Sequence, residues 1–195
     1  MKIFMLYLNY NSEHCPALAD KKVRKALEMA IDKETLTQAV TYGYWKASWS
    51  IVPDVAAEAI DYPINMYDLE AAKALMKEAG YENGFDISVW VDSDQMNQET
   101  MTILQDQWKK IGVNLEIITQ DANTMNARYD AGEDYDCQYW FYSCNSGHIS
   151  YTFHSTLYSL SSSRNYSQYV SEEYDTLITE WLKTVDENTK KDQVK

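Results

Sequence analysis

The chain has 195 residues, with 17 lysines and arginines against 30 aspartates and glutamates and a formal net charge of −13. So acidic a chain lacks the basic face that neutralising phosphates requires, which argues against a nucleic-acid binder. Hydrophobic residues at 45% and charged residues at 24% are ordinary globular usage, which argues against wholesale disorder, and no run reaches the roughly 18 apolar residues of a membrane span. Sixteen tyrosines and six tryptophans against four phenylalanines favour rings with a polar tip, suited to half-wet surfaces. Cys15, Cys137 and Cys144 form neither a disulfide framework nor a Cys-x-x-Cys motif, and a Cys137–Cys144 bridge stays open.

In chain order, Ile3, Met5 and Tyr7 alternate with Phe4, Leu6 and Leu8, which predicts a strand apolar on both faces rather than a signal peptide. Val23, Ala26, Leu27, Ala30 and Ile31 make the stripe of an amphipathic helix. Asp32 starts a second helix with Ile31 and Leu36 placed as a hydrophobic staple, and Gly43 stops it. An irregular aromatic segment follows, with Trp45, Trp49 and Pro53. Asp68 caps a helix whose inner face is Leu69, Ala72, Leu75, Met76 and Ala79, ended by Gly80.

Phe85 to Val91 alternates as a strand, and Met96, Thr100, Leu104, Trp108 and Ile111 mark a long helix ending at Gly112. Val113, Leu115 and Ile117 form the next strand, Asp121 to about Ala131 a weaker helix, and Tyr135 to Phe141 a third strand. On that strand Tyr135, Cys137, Tyr139 and Phe141 are expected to share one face, with Trp140 on the other. A final helix begins at Ser171 and runs into a polar tail, residues 186–195, expected to be truncated because no closing strand follows. The β-α-β-α-β order predicts an α/β fold with a central, mostly parallel sheet flanked by helices.

Ligands of such sheets bind outside the carboxyl ends of the strands, here Asp92–Gln95, Gln120–Asn123 and Tyr142–His148. Trp140 and Tyr142 are the candidates for stacking surface there, with Ser143 and Asn145 for hydrogen bonds and Asp94, Gln95 and Asp121 at the neighbouring strand ends. Neither glycine-rich nucleotide motif nor a Gly-x-Ser-x-Gly elbow occurs. Cys144, His148 and His154 have metal-ligating side chains, but their spacing matches no known site and reads as a Ser/Tyr-rich loop. The carboxylates Asp92/Asp94 and Glu133/Asp134/Asp136 would suit a hydrolase only as a pair across a cleft, and otherwise are solvated surface.

Five ordered motifs resemble the extracellular solute-binding proteins of peptide ABC transporters. Residues 23–33 (VRKALEMAIDK) resemble that family's "VRxALxxAIDR" helix pair. Residues 68–81, from Asp68 to Glu78-Ala79-Gly80-Tyr81, look like its "DxxxAKxLLxEAGY", and 107–113 like its "QxxLKKIGI". Tyr135-Asp136 with Trp140 resembles its "YDxxxxGW" strand, and Asn165-Tyr166 with residues 173–178 its "NYxxYxNPEFDxLI". The resemblance implies a lobe of the periplasmic-binding-protein class II type. Residues 1–195 would be the second large lobe of a longer protein, with 1–10 a hinge-proximal strand. It further implies capture of oligopeptides between two lobes and delivery to a membrane permease, outside the cytoplasmic membrane as a lipoprotein or periplasmic protein, without catalysis, cofactor or metal.

An oligosaccharide, nickel or haem ligand is the alternative within the family, and a carboxylate-based hydrolase the alternative outside it. Arg128 stands near where some relatives place an arginine that meets the peptide carboxylate. Peptide-specific members carry an aspartate three residues after the strand's tryptophan, where this chain has Ser143.

Overall fold

In a computed structural model the described residues are 2–50, 66–143 and 165–193. They form β1 (Lys2–Leu8), α1 (Lys21–Met29), α2 (Lys33–Thr41), α3 (Leu69–Glu78), β2 (Phe85–Asp92), α4 (Gln95–Lys109), β3 (Val113–Gln120), α5 (Ala122–Asp130), β4 (Cys137–Ser143), α6 (Glu172–Lys183) and α7 (Glu187–Gln193), with a 3-10 turn at Pro16–Ala19. The contacts divide the chain into two compact units. One comprises residues 6–47 and 65–140, the other residues 1–5, 48–64 and 141–195.

The sheet has the order β1-β4-β2-β3. β2 is parallel to both neighbours, from Phe85↔Val113 to Asp92↔Gln120 on one side and from Val89↔Cys137 to Val91↔Tyr139 on the other. β1 runs the opposite way, since Asn9 N–H donates to the Asp136 carbonyl at 2.8 Å while the Phe4 ring meets Phe141 at 5.8 Å. The α/β class and the mostly parallel sheet therefore hold. Each forward step, β1 to β2 and β2 to β3, is followed by the return from β3 to β4, so β4 enters between β1 and β2.

The helices start where short polar side chains can accept orphan N–H groups. Asp32, Asp68 and Ser171 cap α2, α3 and α6 as their positions predict, accepting from Thr35, Ala71 and Tyr174. Val23, Ala26, Leu27 and Ala30 are buried on α1, and Met101, Leu104 and Trp108 on α4. Trp108, wholly buried, donates its indole N–H to the Leu27 carbonyl at 3.0 Å. Gln107 both accepts from the Asp32 N–H at 2.9 Å and donates to the Asp32 carbonyl at 3.3 Å. Those three bonds fix α4 against the α1–α2 corner without leaving a buried polar group idle.

At the amino ends of β2 and β3 the backbone comes close at two glycines, because a Cβ on Gly84 would fall 1.8 Å from the Gly112 carbonyl oxygen. Both residues also have positive φ, 73° and 82°.

Two expectations need correction. β4 begins at Cys137, not Tyr135, because the Asp136 side chain pairs with β2 instead of extending the ladder. Tyr135 accordingly leaves the Cys137–Tyr139 face and packs 5.1 Å from the Trp90 ring, in the cluster that Trp140 also adjoins. The polar tail is not featureless either, since Glu187–Gln193 is helical and Asp186 caps it through Thr189. The Ser159–Ser163 cluster, Pro53 and the Cys144, His148 and His154 set lie outside the described residues.

Trp108→Ala is expected to lower unfolding free energy by about 3–5 kcal/mol in urea titration, from cavity and lost burial. Tyr44→Ala, at 90% exposed, is expected to stay within about 0.5 kcal/mol.

Candidate functional site

The carboxyl ends of β2 and β3 deliver two chain segments to one edge of the sheet, and each then enters a helix. Asp94 precedes α4 and Asp121 precedes α5. Asp94 accepts from Met96 N–H at 3.0 Å, and Asp121 accepts from Asn123 and Thr124 N–H and from the Thr124 hydroxyl. Those bonds, the Thr124 hydroxyl foremost, hold the Asp121 carboxyl below the ordinary aspartate range. Both aspartates are thus helix caps. Gln95 lies on the first turn of α4, exposed, with its amide donating to Glu99 at 2.8 Å.

Trp140 is half-buried and packs beside the cluster of Trp90, Met125 and Tyr135, together with Ile118 and Tyr129. Arg128 leans over the same cluster, its guanidinium 4.2 Å from the Trp90 ring centre. Its Nε donates to Glu133 at 2.7 Å and its Nη1 to the Gln120 side-chain oxygen at 2.8 Å. A ligand carboxylate would therefore meet this arginine through Nη2. Arg128, Gln120, Trp90 and Trp140 form one group at the ends of β3 and β4, and Asp94 and Gln95 lie at the end of β2. The side chains of Tyr142 and Ser143, and all of Asn145, lie outside the described residues.

Two clusters went unnoticed in the sequence. Asp92 ends β2, and its Oδ1 accepts from Asp94 N–H at 3.0 Å and from Asn97 Nδ2 at 2.7 Å. Nearby, burial pushes the Tyr139 hydroxyl up to about 12, offset in part by a hydrogen bond with Thr100 and reinforced by the Asp92 charge. The signal for this cluster was an Asp-x-Asp run closing a strand ahead of a helix. At the opposite end of β4, Asp136 accepts from Ser12 Oγ at 2.5 Å, Ser88 N–H at 2.8 Å and Ser88 Oγ at 2.7 Å. Asp134 accepts from the Glu13 and His14 N–H groups at 2.9 and 3.2 Å and pairs with His14 Nδ1 at 2.8 Å. Both acids fasten the loop after β1 and are structural. Cys15 and Cys137 are buried free thiols beside them. Burial first, then Asp136, raises Cys15 to about 11 and Cys137 well above the usual thiol range. No group of three or more metal-ligating side chains occurs among the described residues.

Residues 2–182 match the bacterial extracellular solute-binding proteins, family 5 (middle region). The chain belongs to this family. Within reach of the family match, the chain is 32% identical over 194 residues to the dipeptide-binding protein of Escherichia coli K12, covering 93% of this chain and 35% of that protein. It is 33% identical over 136 residues to heme-binding protein A of Haemophilus influenzae, covering 65% and 24%. Among solved structures, the dipeptide-binding protein of Pseudoalteromonas sp. SM9913 in complex with Met-Leu superposes with a TM-score of 0.86 at 29% identity, over 98% of this chain and 39% of that one. The chain therefore spans about a quarter to two fifths of the length of these relatives. The neighbouring structures are periplasmic binding proteins, in agreement with the fold class expected of the family.

With Cys144 replaced by serine, Cys15 and Cys137 are expected to resist a maleimide at pH 7.5 in the folded protein and to react within minutes in denaturant. Burial and disfavoured thiolate both act in that direction.

Proposed function

We propose that residues 1–195 form the second large lobe of a longer solute-binding protein. It captures oligopeptides and delivers them to the permease of an ABC importer, on the outer side of the cytoplasmic membrane as a lipoprotein or periplasmic protein. The observation that carries this reading is the 32% identity to a dipeptide-binding protein over 93% of the chain. A shared fold with a Met-Leu complex supports it. Trp140 and Tyr142 offer ring surface to the ligand, Ser143 and Asn145 hydrogen bonds, and Asp94, Gln95, Asp121 and Arg128 the polar frame. Closure of two lobes about a hinge, driven by contacts made only in the closed form, would retain the ligand.

The function is binding rather than catalysis, with no cofactor. A hydrolase would keep one carboxyl protonated by raising its pKa. The two described carboxylates with shifted acidity, Asp121 and Asp186, are instead pushed down, chiefly by bonds from Thr124 and Thr189 respectively. A haem-type ligand is the second reading, favoured by the 33% identity to a heme-binding protein.

Calorimetric titration of the natural full-length protein with a pool of di- to hexapeptides should give saturable binding, weakened by about tenfold or more in Trp140→Ala, on the scale of a lost aromatic contact. Silence toward peptides with saturation by haemin or an oligosaccharide would replace the peptide by that ligand.

A further inference from the structure

The end of β2 holds the least satisfied polar group on the carboxyl edge. Asn97 is 5% exposed and spends its Nδ2 on Asp92, while its Oδ1 is buried and accepts from nothing. A buried carbonyl oxygen without a donor costs about 1–3 kcal/mol in general, and its uncompensated negative end adds to the potential at the carboxylate beside it. Asp92 uses Oδ1 for both of its bonds, and Oδ2 accepts from no protein group among the described residues. The carboxylate is half-buried, one residue beyond the last β2–β4 pair, Val91↔Tyr139, and so beside Trp140.

An anion is excluded by the same bonds. The free N–H groups that open α4 and α5 are already taken by Asp94 and Asp121, so neither helix start offers donors to a phosphate or carboxylate. The remaining charges at the ends of β2 and β3 are Asp92, Asp94 and Asp121 against Arg128, which Glu133 already pairs. What is unmet here is a positive N–H donor.

We propose that Asp92, oriented by Asn97, receives a cationic nitrogen group of the ligand, an ammonium or guanidinium, on its open Oδ2. Asn97 is the positioning residue, and Asp92 makes the contact. Either a peptide's amino terminus or a lysine or arginine side chain would supply this group. The inference rests on the peptide reading above and deepens it by naming the charge that the ligand brings.

The test is calorimetry on the natural full-length protein with three peptides: Ala-Ala-Ala, its N-acetylated form, and N-acetylated Ala-Lys-Ala. The expected result is preference for one or both cationic peptides over the neutral-ended one. Asp92→Asn, which keeps the shape and both acceptor bonds, should remove about tenfold or more of that affinity and leave acetyl-Ala-Ala-Ala unchanged. Loss with Ala-Ala-Ala assigns the site to the amino terminus, and loss with the lysine peptide assigns it to a side chain. Equal affinity of the variant and the unmodified protein for every peptide overturns the inference alone. So does an unmodified protein that binds acetyl-Ala-Ala-Ala as tightly as the cationic peptides, whether or not the variant folds. Failure of the unmodified protein to bind any of the three overturns the peptide reading, and this inference with it.

Discussion

One buried carboxylate fixes the amino end of β4. Asp136 takes the Ser88 N–H and hydroxyl from β2 and the Ser12 hydroxyl from the loop after β1, while its own carbonyl accepts from Asn9. Three chain segments, far apart in sequence, are thereby held to one residue that is 4% exposed. A buried charge is tolerated only when its lone pairs are filled, and here they are. β4 cannot slide in register without breaking all of these bonds. Its opposite end is thus delivered to a fixed place beside β2, where Trp140 adjoins the Trp90 cluster. The amino end of the strand is spent on structure, which leaves the carboxyl end for recognition.

The fold was legible because local signals and long-range packing agree. Asp32, Asp68 and Ser171 are short acceptors directly ahead of apolar stripes, and each caps the helix it announces. β2 and β3 alternate cleanly, since one helix-covered sheet buries Ile87, Val89, Val91, Val113 and Leu115. Tyr135 misled for the opposite reason. It alternates with Cys137 and Tyr139, but periodicity cannot register that the neighbouring Asp136 turns inward to β2 and ends the ladder there. A side chain bonded across 48 residues leaves no trace in a local pattern.

The site was legible as a place more than as a set of roles. Topology alone directs attention to the carboxyl edge, and Asp94, Gln95, Asp121, Arg128 and Trp140 all stand there. Asp94 and Asp121 were assigned to ligand, yet each obeys the same capping rule that was applied to Asp32 and Asp68. Arg128 is tied to Glu133, Gln120 and Trp90, partners that only the α5 packing brings together. Asp92 and Asn97 are five residues apart, and their pairing depends on how β2 turns into α4. Family membership joins these observations, because its relatives include proteins named for binding small peptides.

The central claim is that ligand is held at the carboxyl edge of the parallel strands. Hydrogen exchange of the natural full-length protein, with and without a saturating peptide pool, tests it most directly. The account predicts slowed exchange in residues 92–98, 120–124 and 139–143. Protection confined to residues 172–193, with those three segments unchanged, would contradict it.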